Sequence, residues 1–273
     1  MSATPPPAGF RSWRTILLVT FLAVPLANYL PFLFTDGSGR FADDAVTRVD
    51  AAGYAFSIWG LIFLGMVAFA LAQFRVERPT PALVGAYRFL TLAGLASIAF
   101  VPISLADDQL LGALDLYWHL GALVGAAISL RAHVRATGRP PYAWTYAAPS
   151  LYLGWISAAT VIATALGLNA LGVSFAPRVA VGIAVALYAV LTGLGLYLTT
   201  SAQDGPYGLT VAWALVAVGV EQGDVGLLRA VAWGGAAVVA VAALWYWVGQ
   251  PRRGFYATAA GDVTAPRAGS GTG

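Results

Sequence analysis

The chain has 273 residues, of which 59% are hydrophobic and 10% charged; a soluble domain carries roughly 25% charged residues, so a water-soluble globule is excluded. The absence of cysteine excludes disulfides, thiolate metal sites, iron–sulfur clusters and thioether-linked haem within the chain. The net charge of +3 arises from arginine without a single lysine. That excess is too small for a nucleic-acid surface, and without a lysine amine there is no retinal Schiff base.

A membrane span needs about 20 predominantly apolar residues, and eight runs meet that length. They are Arg14–Leu33, Ala51–Phe74, Val84–Ala106, Leu110–Leu130, Pro149–Leu168, Val179–Thr199, Gly208–Gly223 and Val225–Val248. The sequence therefore predicts an all-α integral membrane protein with about eight transmembrane helices. Turn-forming clusters separate the runs: Asp36-Gly37-Ser38-Gly39, Arg78-Pro79-Thr80-Pro81, Asp107-Asp108, Gly138-Arg139-Pro140-Pro141, then Asn169 with Pro177, and Asp204-Gly205-Pro206. Arg11 and Arg14 before an apolar run also fit a secretory signal, but Pro25 beside the small residue Ala27 argues against cleavage. The seventh run is short and ends in Glu221-Gln222, so a re-entrant segment is its alternative. Residues 1–10 and 250–273, rich in Pro, Gly, Thr and Ala, read as disordered tails.

Arginine sets the expected orientation. Arg11 and Arg14, then Arg75 and Arg78, then Arg131, Arg135 and Arg139, then Arg252 and Arg253 fall in alternate connections. The intervening loops hold Asp107-Asp108, or balance Arg40 and Arg48 with Asp36, Asp43, Asp44 and Asp50. Positive charge stays on the cytoplasmic side, which predicts an even number of spans in a cell (inner) membrane with both termini cytoplasmic.

The densest local signal is Ala51 to Gly60, reading AAGYAFSIWG at the start of the second span. Phe56 and Trp59, three apart, share a helical face, and Gly60 beside them lets a neighbour approach. In the third span Ser97-Ile98-Ala99-Phe100-Val101-Pro102 joins an aromatic to a proline, and in the fifth Pro149, Tyr152 and Trp155 precede Leu168-Asn169. These stretches resemble the tryptophan-rich sensory protein family (TspO/MBR, the bacterial relatives of the translocator protein). Its second helix carries Phe-x-x-Val-Trp, its third Asn-x-x-Trp-x-Pro and its fifth Pro-Tyr-x-x-Trp. The resemblance covers roughly residues 11–170, with alanines at 51 and 52 where the family has Pro-Pro. It implies a TspO-like five-helix bundle at 11–170, extended by three further helices at 171–249. It also implies a pocket roofed by the loop between helices one and two, taking tetrapyrroles and other flat hydrophobic molecules. Carried over, Phe56, Trp59, Tyr152 and Trp155 line that pocket and Ser97 stands in place of the family's Asn. Phe100, Trp118 and His119 complete the expected set. Aromatic rings with polar handles suit a flat conjugated ligand, though they also serve simple helix packing.

A second signal is Asp115 with His119, four apart and so on one face of the fourth span, an ionisable pair inside the membrane. It fits a proton relay or a ligand contact; the plain alternative is an Asp115 reaching the headgroups and a His119 bonded to a neighbouring helix. His133 is fourteen residues away, roughly 21 Å along a helix, which excludes bis-histidine haem within the chain. Gly121-x-x-x-Gly125 and Ala122-x-x-x-Ala126 allow close helix packing, internal or in a homodimer. Leu244, Tyr246 and Arg252 fit the loose cholesterol-contact pattern.

No convergent acid–base set marks a catalytic centre. The expected function is binding, transport or sensing of a hydrophobic small molecule, such as a tetrapyrrole or lipid-like compound, within the bilayer. The rival readings are an enzyme degrading or oxidising a bound porphyrin-like ligand, with Trp59 or Trp155 as redox partner, and an accessory subunit of a membrane complex.

Overall fold

A computed structural model describes residues 5–30, 48–137 and 143–248, with side chains for all of these except 143, 144, 247 and 248. The described elements are all helical: α1 Phe10–Tyr29, α2 Ile58–Ala72, α3 Pro81–Leu105, α4 Gln109–Thr137, α5 Ala147–Ala170, α6 Pro177–Ser201, α7 Gly205–Glu221 and α8 Gly226–Val248. Short 3-10 turns, Gly53–Ser57 before α2 and Gln73–Arg75 after it, lengthen the second span at both ends. The tails at 1–4 and 249–273, the aspartates at 36, 43 and 44, and Arg40, Arg139, Arg252 and Arg253 lie outside the described residues.

Local chemistry fixes the helix starts. Thr80 caps α3, its hydroxyl accepting the Leu83 N–H at 3.2 Å ahead of Pro81 in the first turn. Asp108 accepts the Leu111 N–H at 2.9 Å where α4 begins. Asp204 accepts the Tyr207 N–H at 3.0 Å and opens α7, again with proline in the first turn. Gly172, at φ 78°, occupies the left-handed region that ends α5.

Seven of the helices are long and apolar enough to cross a membrane, and α7 is an apolar helix of 17 residues. At 1.5 Å per residue α7 is about 25 Å long, close to the hydrocarbon thickness of about 30 Å. It is continuous from Gly205 to Glu221 and joined by short turns to α6 and α8. It packs against α5, α6 and α8.

Large apolar side chains point away from the protein on every helix, Leu64 at 75% exposure and Val241 at 70% being extremes, while Gln73, Thr91, Ser97, His119, His133 and Thr160 are buried. A bilayer produces this distribution, because lipid solvates apolar side chains and leaves polar groups to find partners inside. Gln73 donates to Phe69 O at 2.9 Å and accepts the Tyr87 hydroxyl at 3.2 Å. His133 Nδ1 lies 2.9 Å from the Thr80 hydroxyl. At the same end Arg14 stacks on Phe74 and Phe10 and Arg88 on Trp13, so aromatic faces receive guanidinium groups where the chain is richest in arginine.

α3 lies between α1 and α4, α4 packs on α5, and α2 fits between α1 and α5. α5 also contacts α6 and α7, which pack with α8. One continuous apolar core runs from Phe10 in α1 to Val239 in α8, so the last three helices share the core of the first five. The seam between them is tight. A Cβ at Gly154 of α5 would lie 2.9 Å from the Tyr207 carbonyl oxygen of α7, which only glycine allows. The small-residue pairs of α4 divide: Ala122 and Ala126 are buried in the core, whereas Gly121 faces open space and Gly125 receives the Phe89 ring. Gly60, expected to receive a neighbour, also faces open space.

Candidate functional site

Helices α2 and α5 bring together the aromatic residues singled out in the sequence. Trp59 meets Trp155 edge to face at 6.1 Å between ring centroids and Tyr152 at 5.7 Å. Phe56, in the turn that leads into α2, meets Trp155 edge to face at 5.8 Å. Phe63, one turn on from Trp59, stacks on it at 5.1 Å and touches Tyr29 of α1 at 6.1 Å. Edge-to-face contact sets the positive edge of one ring on the negative face of the next, which satisfies the ring quadrupoles. Phe56 keeps 53% of its surface exposed and Trp59 is half-buried, whereas Tyr152 and Trp155 are buried.

A polar chain adjoins the rings. His119 of α4 is 1% exposed, its Nε2 is 2.5 Å from the Tyr152 hydroxyl, and the two rings cross edge to face at 5.0 Å. The same hydroxyl donates to the Ala93 carbonyl of α3 at 3.4 Å; having one proton, it serves either that carbonyl or His119, and the histidine tautomer follows from which. Ser97 of α3 is buried, and Asn28 of α1 donates to its carbonyl at 3.3 Å and its hydroxyl at 3.4 Å. Two atoms of this region are buried without a partner among the described residues: His119 Nδ1 and Asp115 Oδ2.

The arrangement departs from the sequence expectation in two places. Asp115 and His119 share a helical face, but His119 bonds Tyr152 and no bond joins it to Asp115. Trp118, expected beside His119 in the pocket, is 61% exposed on the outer side of α4, since adjacent helical residues point about 100° apart. Phe100 is partly buried against the core. Asn28 and Phe63 were not anticipated. A lone Asn in an otherwise apolar run was the available signal for the first, and the three-to-four spacing from Phe56 and Trp59 for the second. Among the described residues no cluster of His, Cys, Asp or Glu could hold a metal ion.

No curated protein and no solved structure matches the chain. The family described as TSPO-like protein matches residues 13–245, from the first turn of α1 to the last turn of α8. That stretch takes in the aromatic motifs of α2 and α5 and all three C-terminal helices. The chain is a multi-pass membrane protein and belongs to the TSPO-like family.

Proposed function

We propose that this protein binds a flat hydrophobic molecule, a tetrapyrrole or a lipid-like compound, between α2 and α5. The observation that carries the reading is the edge-to-face set of Phe56, Trp59, Tyr152 and Trp155 beside two buried polar atoms without a partner among the described residues. Ring faces supply apolar stacking area for a conjugated ligand. In a bilayer an unsatisfied polar group costs several kcal/mol, so Asp115 Oδ2 and His119 Nδ1 favour a molecule that brings polar groups of its own. The TSPO-like family is consistent with ligand binding. The arginine-rich connections support a cell (inner) membrane location with both termini on the cytoplasmic side.

The test is a titration of the full chain, in nanodiscs, with protoporphyrin IX. Binding beside Trp59 and Trp155 quenches their emission along a saturable curve. A linear fall, equal to that given by a soluble indole in empty nanodiscs, refutes the proposal.

A further inference from the structure

The last three helices hold the turn that carries Phe56 into the site. The Trp213 indole N–H of α7 donates to the Ala55 carbonyl at 3.0 Å, and its ring meets Tyr54 edge to face at 5.4 Å. One turn along α7, the Ala217 carbonyl accepts the Ala52 N–H at 3.2 Å. At the end of the helix Gln222 donates to the Asp50 carbonyl at 3.4 Å. Tyr188 of α6 donates to the Arg48 carbonyl, and Arg48 pairs with Asp224, between α7 and α8, at 2.8 Å. Residues 48, 50, 52 and 55 are thus each tethered to a different group of α6, α7 or the turn after it. Trp213 and Ala217, four apart, lie on one face of α7, and Gln222 follows as the residue that ends the helix.

We infer that α7, through Trp213, is a positioning element for the aromatic site: it sets the turn Gly53–Ser57 so that Phe56 stands against Trp155. This rests on the ligand reading given above. The turn is short, and of its backbone Ala55 bonds locally to Ala52 at 2.9 Å; a five-residue 3-10 turn has weak bonds of its own. Its geometry therefore follows whatever grips it from outside. The grip falls on Ala55, the residue before Phe56, and on Ala52, the residue before the turn. Phe56 is half-exposed and touches Trp155 by one edge, so a small shift of the turn opens or closes that contact. The C-terminal helices thereby acquire a role in the site although none of the aromatic set Phe56, Trp59, Tyr152 and Trp155 comes from them.

The experiment uses the full chain in phosphatidylcholine nanodiscs, with protoporphyrin IX as probe and its absorbance shift as readout. Trp213→Phe keeps a ring against Tyr54 and removes the N–H donated to Ala55. It is expected to weaken probe affinity roughly 3- to 10-fold. Rescue separates positioning from general damage. The chain has no cysteine of its own, so Ala52→Cys with Ala217→Cys creates one defined pair where the two backbones already touch. Oxidised in the Trp213→Phe background, that crosslink should return affinity to within about twofold of the parent, and reduction should abolish the rescue. Unchanged affinity in Trp213→Phe, an oxidised crosslink that restores nothing, or a pair that will not crosslink overturns the inference. If Trp213→Phe fails to fold, Gln222→Ala with Asp224→Ala at the end of the same helix takes its place: a weakening that the crosslink rescues supports the inference, and no change refutes it. Absence of saturable binding by the parent chain is a different result, which removes the ligand reading itself.

Discussion

Asp204 offers a prediction whose sign is opposite to that of most carboxylates. It sits in the turn between α6 and α7, 3% exposed, with its side chain capping α7. Burial lifts its carboxyl from 3.8 to about 6, against the pull of the Tyr207 N–H, the Ser150 hydroxyl and the Arg131 guanidinium of α4. The folded protein therefore holds this proton more tightly than the unfolded chain does. Stability falls as pH rises from about 4 to about 6 and is level above that range. That rise corresponds to roughly 3 kcal/mol at neutral pH. Asp204→Asn keeps the oxygen that caps Tyr207 but has no charge to bury, and it forfeits the attraction of Arg131. The net gain should be about 1–2 kcal/mol at pH 8, or several degrees in Tm at roughly 2 °C per kcal/mol for a chain of this size. At pH 4 both forms are largely neutral and the gain should shrink towards zero. Thermal unfolding of the two proteins in nanodiscs at pH 4, 6 and 8 reads this directly. A wild-type chain that becomes more stable between pH 4 and 6, or a gain that is the same at every pH, refutes the reasoning.

Tyr152→Phe leaves His119 Nε2 without its partner in an apolar interior and should lower stability by about 1–3 kcal/mol; adding His119→Leu should recover part of that loss, and a double variant worse than the single one contradicts the pairing. Gly154→Ala drives a methyl against the α7 backbone and should cost about 1–3 kcal/mol in thermal unfolding, whereas Gly121→Ala, facing open space, should be neutral or slightly stabilising. Reporter fusions at residue 140 and at the C-terminus should report the same side of the membrane, and one near residue 44 the other; a C-terminal fusion on the side of residue 44 contradicts an eight-span topology.

The spans were legible because length and apolar composition are one-dimensional signals. Five of the eight predicted runs fall almost wholly within the observed α-helices, the second is filled by α2 with its flanking 3-10 turns, and α7 differs mainly in starting at Gly205, where the Asp204 cap and Pro206 set its first turn. The first run was placed late: α1 begins at Phe10, after Gly9 in the left-handed region. Which side of a helix faces inward was far less legible. In a lipid-embedded helix both faces are apolar, so Trp118 and His119, adjacent in sequence, read alike although one is exposed and the other buried. Phe56, Trp59, Tyr152 and Trp155 were found through motif resemblance, and the structure gathers them. Contacts between distant residues had no local signature. Asn28 reaches Ser97 across 69 positions and Trp213 reaches Ala55 across 158, and the indole of Trp213 looks in sequence like any interfacial tryptophan.

The most direct test of the account is a comparison of tryptophans inside and outside the aromatic site. Trp59→Leu and Trp155→Leu each keep an apolar side chain and remove stacking area, while Trp245→Leu does the same on α8, where that side chain is 67% exposed. Affinity for protoporphyrin IX in nanodiscs should fall several-fold, about 1 kcal/mol, for each of the first two and stay unaltered for the third. Equal affinities for all three variants and the parent would mean partitioning into lipid and would contradict a binding site between α2 and α5.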